Sequence, residues 1–351
     1  MHANTTPPHR YLWLQSLHPG NFAMVMASGI VSLGLSILGQ RVLAQLPFAV
    51  ALVAWCVLVL LSSARLALYP QAVMDELRNP RMVFTYFTLV AATGVLGVLF
   101  HTRGLLELAT ACWVLAFVVW CALLYLAFTV LALLTHENNV NVVHGGWLIA
   151  IVGTQSLVLL GTRIAPSLHM VADYMMVQAH MLWGVGLILY GIFVTLFCYR
   201  IFFSALRPED MSPLLWVVMG AAAISANAGT SLMIADTHMP FLLAQRPMID
   251  GVTLMVWSWA TWWIPLLVVF FFWKHWVRGL PVVYEPVMWS LVFPLGMYSV
   301  ASARLGLATD FAPLGWVASV MIWVAFAAWS GTFFALLRRL WRAAPGIFQP
   351  S

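Results

Sequence analysis

Charge is scarce in this chain. Only 8% of its 351 residues are Asp, Glu, Lys or Arg, against roughly 25% in an ordinary soluble domain. That leaves too little polar surface for a cytosolic enzyme and too much apolar content for a disordered chain. Cysteine is scarce too. Cys56, Cys112, Cys121 and Cys198 all fall inside apolar blocks and form no CxxC pair. They read as buried apolar thiols, which excludes a secreted disulfide scaffold and a zinc framework. The ~10-residue alternating segments of a membrane β-barrel are missing. So are a nucleotide loop, a nucleophile elbow and a zinc signature. A membrane haem needs paired histidines at similar depth. His101, His136, His144 and His238 sit at block ends, and His180 has no evident partner. No cofactor, no metal and no catalysis are expected.

Apolar residues dominate what is present. They make up 63% of the chain, and mean hydropathy is +0.94. A helix needs ~20 apolar residues to cross the hydrocarbon core. Ten blocks meet or approach that length, at 21–40, 46–68, 82–101, 105–134, 144–161, 172–202, 213–235, 248–276, 286–304 and 313–340. The expected fold is an all-α membrane protein of ten helices with no soluble domain between them. Residues 21–340 form the membrane domain, between an N-terminal tail (1–20) and a C-terminal tail (341–351). Residues 11–17 suggest a short interfacial helix before Pro19-Gly20. The first block lacks the charged leader and cleavage site of a signal peptide, so it is read as the first span.

The net charge of +5 and pI near 9.2 do not point to nucleic acid, because the basic residues sit at block ends. They orient the chain instead. With the N-terminus in the cytoplasm, the inner side receives Arg10, Arg65, Arg78, Arg81, Arg200, Arg207, Lys274, Arg278, Arg338, Arg339 and Arg342. The outer side receives Arg41, Arg103, Arg163, Arg246 and Arg304. Ten spans then place both termini in the cytoplasm, in a plasma membrane of the bacterial inner-membrane kind.

Odd and even blocks differ. The odd ones are short and hold Gly29, Gly34, Gly94, Gly97, Gly153, Gly220, Gly229 and Gly296, whereas blocks two and four hold no glycine. Small residues allow close helix approach or leave room for a lumen, and long plain helices suit lipid. Five inner helices, each followed by an outer one, are therefore expected. Block ends repeat weakly, as Leu38-Gly39-Gln40-Arg41, Phe100-His101-Thr102-Arg103, Leu160-Gly161-Thr162-Arg163 and Ala301-Ser302-Ala303-Arg304. The seventh block breaks this pattern, ending Ala235-Asp236-Thr237-His238 with Arg246 later.

No carboxylate falls mid-block. A proton relay and a cation pore both need one. The odd blocks carry neutral donors instead. The pore-lining candidates are Ser28, Ser32, Thr88, Thr93, Thr154, Gln155, Ser225, Asn227 and Ser299, with Ser156, Ser231 and Ser302 among their neighbours. Such groups replace part of an anion's hydration without trapping it. The five outer arginines are candidates for steering anions to a mouth. In the ninth block, Phe293-Pro294-Leu295-Gly296-Met297-Tyr298 puts a bulky ring beside a helix-kinking proline.

Two of these stretches carry a resemblance. Asn21 to Ser32, NFAMVMASGIVS, resembles the opening span of the tellurite-resistance/dicarboxylate transporter family, which includes the slow and voltage-dependent anion channels. Phe293 to Tyr298 resembles its ninth span. The resemblance implies five hairpins around a central pore, odd helices innermost, a homotrimer, and a gate at Phe293 beside Pro294. Only Pro294 lies mid-block among the inner helices, so Gly29, Gly94, Gly153 and Gly229 are expected to supply other bends. The functional expectation is passage of small inorganic or organic anions through a neutral pore. The alternatives are proton-linked uptake of four-carbon dicarboxylates and efflux of an oxyanion such as sulfite or tellurite.

Overall fold

A computed structural model describes residues 12–134, 144–203 and 211–347. Arg10, His136 and Arg207 lie outside the described residues, as do parts of both tails. The described residues contain helices and connections but no strand. Without water, a backbone must satisfy its own N–H and C=O groups, and a helix does so within one segment.

Among the described residues, ten helices of fifteen residues or more follow one another. They are α1 (Ala23–Ile37), α2 (Gln45–Leu68), α3 (Phe87–His101), α4 (Leu106–Leu134), α5 (Ile149–Ile164), α6 (Ala172–Phe203), α7 (Val217–Met233), α8 (Arg246–Phe272), α9 (Trp289–Thr309) and α10 (Ala312–Ile347). Nine runs among the described residues are long and apolar enough to cross a membrane. One of them, Gly145–Phe203, holds both α5 and α6. His169, at φ 42° and ψ −100°, breaks it.

The odd helices have 15, 15, 16, 17 and 21 residues, and the even ones 24, 29, 32, 27 and 36. In the runs that hold a single long helix, the most apolar stretch is 72–89% buried for odd helices and 22–28% for even ones. The odd helices therefore form the core, and the even ones turn apolar side chains such as Val53, Val118, Ile188 and Trp316 outward. Each even helix packs on the odd helix before it. The odd helices pack in the cycle α1–α3–α5–α7–α9–α1, which closes a ring of five. Of the four thiols expected to be buried, Cys112 is; Cys56 faces outward on α2, and Cys121 and Cys198 are partly covered.

Glycine sets how near the ring helices come. A Cβ on Gly94 of α3 would lie 2.6 Å from Ser156 Oγ on α5, and one on Gly220 of α7 2.7 Å from Pro294 Cγ on α9. Helices α1, α3, α5 and α7 run on through Gly29, Gly94, Gly153 and Gly229. These glycines mark close approaches between neighbours.

Every ring helix begins with a 3-10 turn, at Pro19–Phe22, Val83–Tyr86, Gly145–Leu148, Pro213–Trp216 and Pro286–Met288. Proline opens three of them, where its missing N–H costs nothing. The five turns also touch in cyclic order at the end of the ring where the helices start. His18 and His144 cap two of these turns. Each offers ring Nδ1 to a backbone N–H two residues on, of Gly20 at 2.9 Å and Gly146 at 3.0 Å.

Candidate functional site

All five inner helices run the same way, because each is returned by an outer one. Their axis therefore has an N-terminal end, at the 3-10 turns, and a C-terminal end. Within the ring lies a cavity of about 10 Å³, lined by Ile30 and Leu33 of α1, Gly94, Val95 and Val98 of α3, Ser156, Leu159 and Arg163 of α5, Asn227 of α7 and Met297 of α9. All five inner helices contribute. About one water fits such a space.

Phe293 is buried, at 2% exposure, one helical turn before Met297 and hence on the same face of α9. Arg304 lies on that stripe roughly 10 Å beyond Met297, toward the C-terminal end. Its Nη1 donates to Asn227 Oδ1 at 3.0 Å and to Ser231 Oγ at 2.7 Å. Arg163 lines the cavity directly. Asn227 joins the two, since it faces the cavity and holds Arg304.

The other three outer arginines are elsewhere. Arg41 is exposed, beyond the end of α1. Arg103 lies past α3 with its guanidinium 3.5 Å from the Phe48 ring centroid of α2, and bonds the Leu99 carbonyl. Arg246 donates to the Ala235 carbonyl at 2.8 Å. It thus closes the end of the seventh block, where the sequence repeat failed.

Most of the neutral candidates bond at joints between helices. Five indoles make one repeated connection. Trp55 of α2 donates to Thr93 Oγ1 of α3 at 3.0 Å. Trp120 of α4 donates to Thr154 Oγ1 of α5 at 2.7 Å, and Trp183 of α6 to the Ser225 carbonyl of α7 at 3.0 Å. Trp257 of α8 donates to Ser302 Oγ of α9, and Trp329 of α10 to Ser28 Oγ of α1, both at 2.9 Å. Each outer helix is thereby fixed to the inner helix of the next hairpin, and the fifth connection closes the circle.

Ser32 donates to the Ala44 carbonyl, Ser299 to the Ala318 carbonyl, and Thr88 to the Pro19 and Thr85 carbonyls. Gln155 Nε2 donates to the Trp183 carbonyl at 3.3 Å. Of the nine neutral candidates, Asn227 lines the cavity. Ser156, Ser231 and Met297 join it at or beside the axis, and their helical spacing from Arg163, Asn227 and Phe293 was the signal available for them.

Away from the cavity, beside the 3-10 turns, Arg65 holds Glu76 through two bonds of 2.8 and 2.7 Å and also bonds the Gln15 carbonyl. Tyr86 adds a third donor to Glu76 at 2.8 Å. Burial raises the Glu76 carboxyl, but these donors outweigh it and hold the group below the usual carboxylate range. This is the one ion pair among the described residues.

A sequence profile of the voltage-dependent anion channel family matches residues 16–337. An uncharacterized transporter of Methanocaldococcus jannaschii is 21% identical over 336 residues, covering 94% of this chain and 96% of its own. An uncharacterized membrane protein of Mycobacterium tuberculosis is 40% identical over 142 residues, covering 40% of this chain and 71% of its own.

Proposed function

The chain belongs to the voltage-dependent anion channel family, whose business is anion transport across membranes, and from that premise we propose that small anions pass along the axis of its five-helix ring. The observation that carries this reading is the cavity itself. Every inner helix lines it, Arg163 faces it, and no carboxylate among the described residues does. Phe293 is the gate in this reading, and Pro294, seated against Gly220, shapes the helix beside it. A lumen of about 10 Å³ fits a conduit that must dilate before an ion passes.

The reading includes ten crossings, with the long run divided at His169, and a single membrane domain over 21–340. The basic-residue asymmetry supports cytoplasmic termini in a plasma membrane. The homotrimer implied by the resemblance belongs to the same proposal, and a native mass measurement in detergent tests it.

The test is flux from liposomes loaded in turn with chloride, nitrate, malate and sulfite, with and without a pH gradient. Anion movement down its own gradient, indifferent to the pH gradient, is the expected result. Saturable malate or sulfite movement that requires the pH gradient would replace the conduit with the proton-linked carrier. Absence of flux for all four anions would overturn both.

A further inference from the structure

Attraction at a distance does not account for the two axial arginines. The Arg163 side chain has no hydrogen bond or ion pair among the described residues, and its Nε is fully buried without a partner. Arg304 is partly buried and bonds only neutral groups, Asn227 and Ser231. The one ion pair among the described residues involves neither. Cations inside a membrane-embedded ring, without counter-charge, are costly to keep and mark function. Burial also removes the screening that would make such charges weak in water.

The surroundings of Arg304 are built to aim it. Asn227 Oδ1 and Ser231 Oγ both accept from Nη1, so they fix how the guanidinium is turned. Neither is spare for another role of that kind: Asn227 Nδ2 points at Met297 Sδ at 3.6 Å, and Ser231 donates to the Asn227 carbonyl at 2.9 Å. Nε and Nη2 of Arg304 have no hydrogen-bond partner among the described residues, which leaves that edge as a forked donor. A planar fork pairs with two oxygens of one anion, which a spherical halide cannot match. Arg163 supplies the second positive charge from the neighbouring part of the axis.

We infer that Arg163 and Arg304 form a saturable binding site for a polyatomic oxyanion, preferably doubly charged, with Asn227 and Ser231 as positioning residues. The inference rests on the reading that anions travel this axis, and turns a mouth that steers ions into a station where one stops. A single charge in a neutral lumen would leave one arginine uncompensated, so sulfate-like anions bind better than chloride.

The full chain in detergent micelles is titrated with sulfate and with chloride at constant ionic strength, and its melting temperature is followed. Sulfate is expected to raise it saturably, at a half-saturating concentration at least tenfold below that of chloride. Arg163→Gln and Arg304→Gln should each raise the sulfate half-saturation at least tenfold, whereas Arg278→Gln, on the exposed far side, should not change it. Should the Gln variants not fold, Arg163→Lys and Arg304→Lys keep the charge and lose the fork, and the preference for sulfate should shrink to about threefold or less. Equal effects of sulfate and chloride on the unmodified chain, an adventitious ion effect only, would overturn the site. So would folded variants with unchanged sulfate half-saturation. The same preparations are assayed for flux in liposomes. Flux without sulfate binding removes the site and leaves the conduit; binding without flux of any anion removes the conduit and leaves the site.

Discussion

Trp329 donates its indole N–H to the Ser28 hydroxyl at 2.9 Å, joining residues 301 positions apart. It is the last of five equivalent bonds, and the only one of them that ties the final hairpin back to the first. A ring built from hairpins has one seam, and this bond lies on it.

Trp329→Phe should therefore lower stability by about 1 kcal/mol, the net worth of a typical hydrogen bond. Ser28→Ala should cost more, about 1–3 kcal/mol, because it leaves a buried indole donor without an acceptor. The double variant should cost less than the two singles together. Denaturant unfolding in mixed micelles measures all three, and simple additivity would show that the bond contributes nothing.

Phe293→Ala should increase anion flux. Shortening the ring one turn from the axial cavity removes the bulk that keeps water out, and each ~1.4 kcal/mol taken from the barrier gives a tenfold gain in rate. A merely packed phenylalanine behaves in the opposite way, costing about 3–5 kcal/mol of stability with no leak. Liposome flux and melting temperature on one preparation separate the two.

Gly94→Ala tests how tightly the ring is closed. The added methyl meets Ser156 Oγ at 2.6 Å and Cβ at 2.8 Å, and Ser156 lines the cavity. The expected cost is about 1–3 kcal/mol, with reduced flux as Ser156 is pushed toward the axis. Adding Ser156→Gly should recover much of both losses, as read by melting temperature and chloride efflux.

Acid should weaken the end of the ring at the 3-10 turns first. Burial, aided by Arg200 and Arg81, holds His144 below its ordinary pKa, despite the bond to the Arg81 carbonyl. Its Nδ1 must stay unprotonated to accept from Gly146. A lowered folded-state pKa means that the unfolded chain binds the proton more readily, so this contribution is complete above about pH 6.5 and is lost as pH falls below it. Glu76, also held low, follows the same sign at more acid pH. A melting curve recorded from pH 8 to pH 4 should decline below 6.5, and His144→Asn, which keeps an acceptor without the imidazole, should flatten the first part of the decline.

The glycine and length contrast between odd and even blocks is enough to separate inner from outer helices, because close packing and lipid exposure select different residues; their arrangement around one axis came from the family resemblance. Which arginines face the axis was not legible. Arg41, Arg103, Arg163 and Arg304 close similar sequence patterns, yet α1 ends at Ile37 and α3 at His101, each before its arginine. Helices α5 and α9 continue to Ile164 and Thr309, past theirs. Glycines at φ +79° and +78°, Gly39 and Gly104, turn the chain after the shorter two. A few residues of helix decide whether the arginine is carried on the ring helix itself or on the loop after it. The indole bonds were equally hidden, since eighteen tryptophans gave no sign of which five meet a neighbouring helix. Three of the pore-lining candidates, Ser28, Thr93 and Thr154, accept these bonds through their hydroxyls, and a hydroxyl on an inner helix carries no mark in the sequence of the face it uses.

The closing bond also sets a timetable. A ribosome adds about 5–20 residues per second, so Ser28 emerges roughly 15–60 s before Trp329, which follows 301 residues later. Until α9 is made the first inner helix has one flank with no neighbour, and through the whole interval its hydroxyl has no indole to receive. Nascent chains halted before α10 could bring α9 against α1 but would leave that joint uncovered toward lipid. The last helix made is then the one that covers and ties the joint between the last and first inner helices, and its loss would be felt first at the opposite terminus.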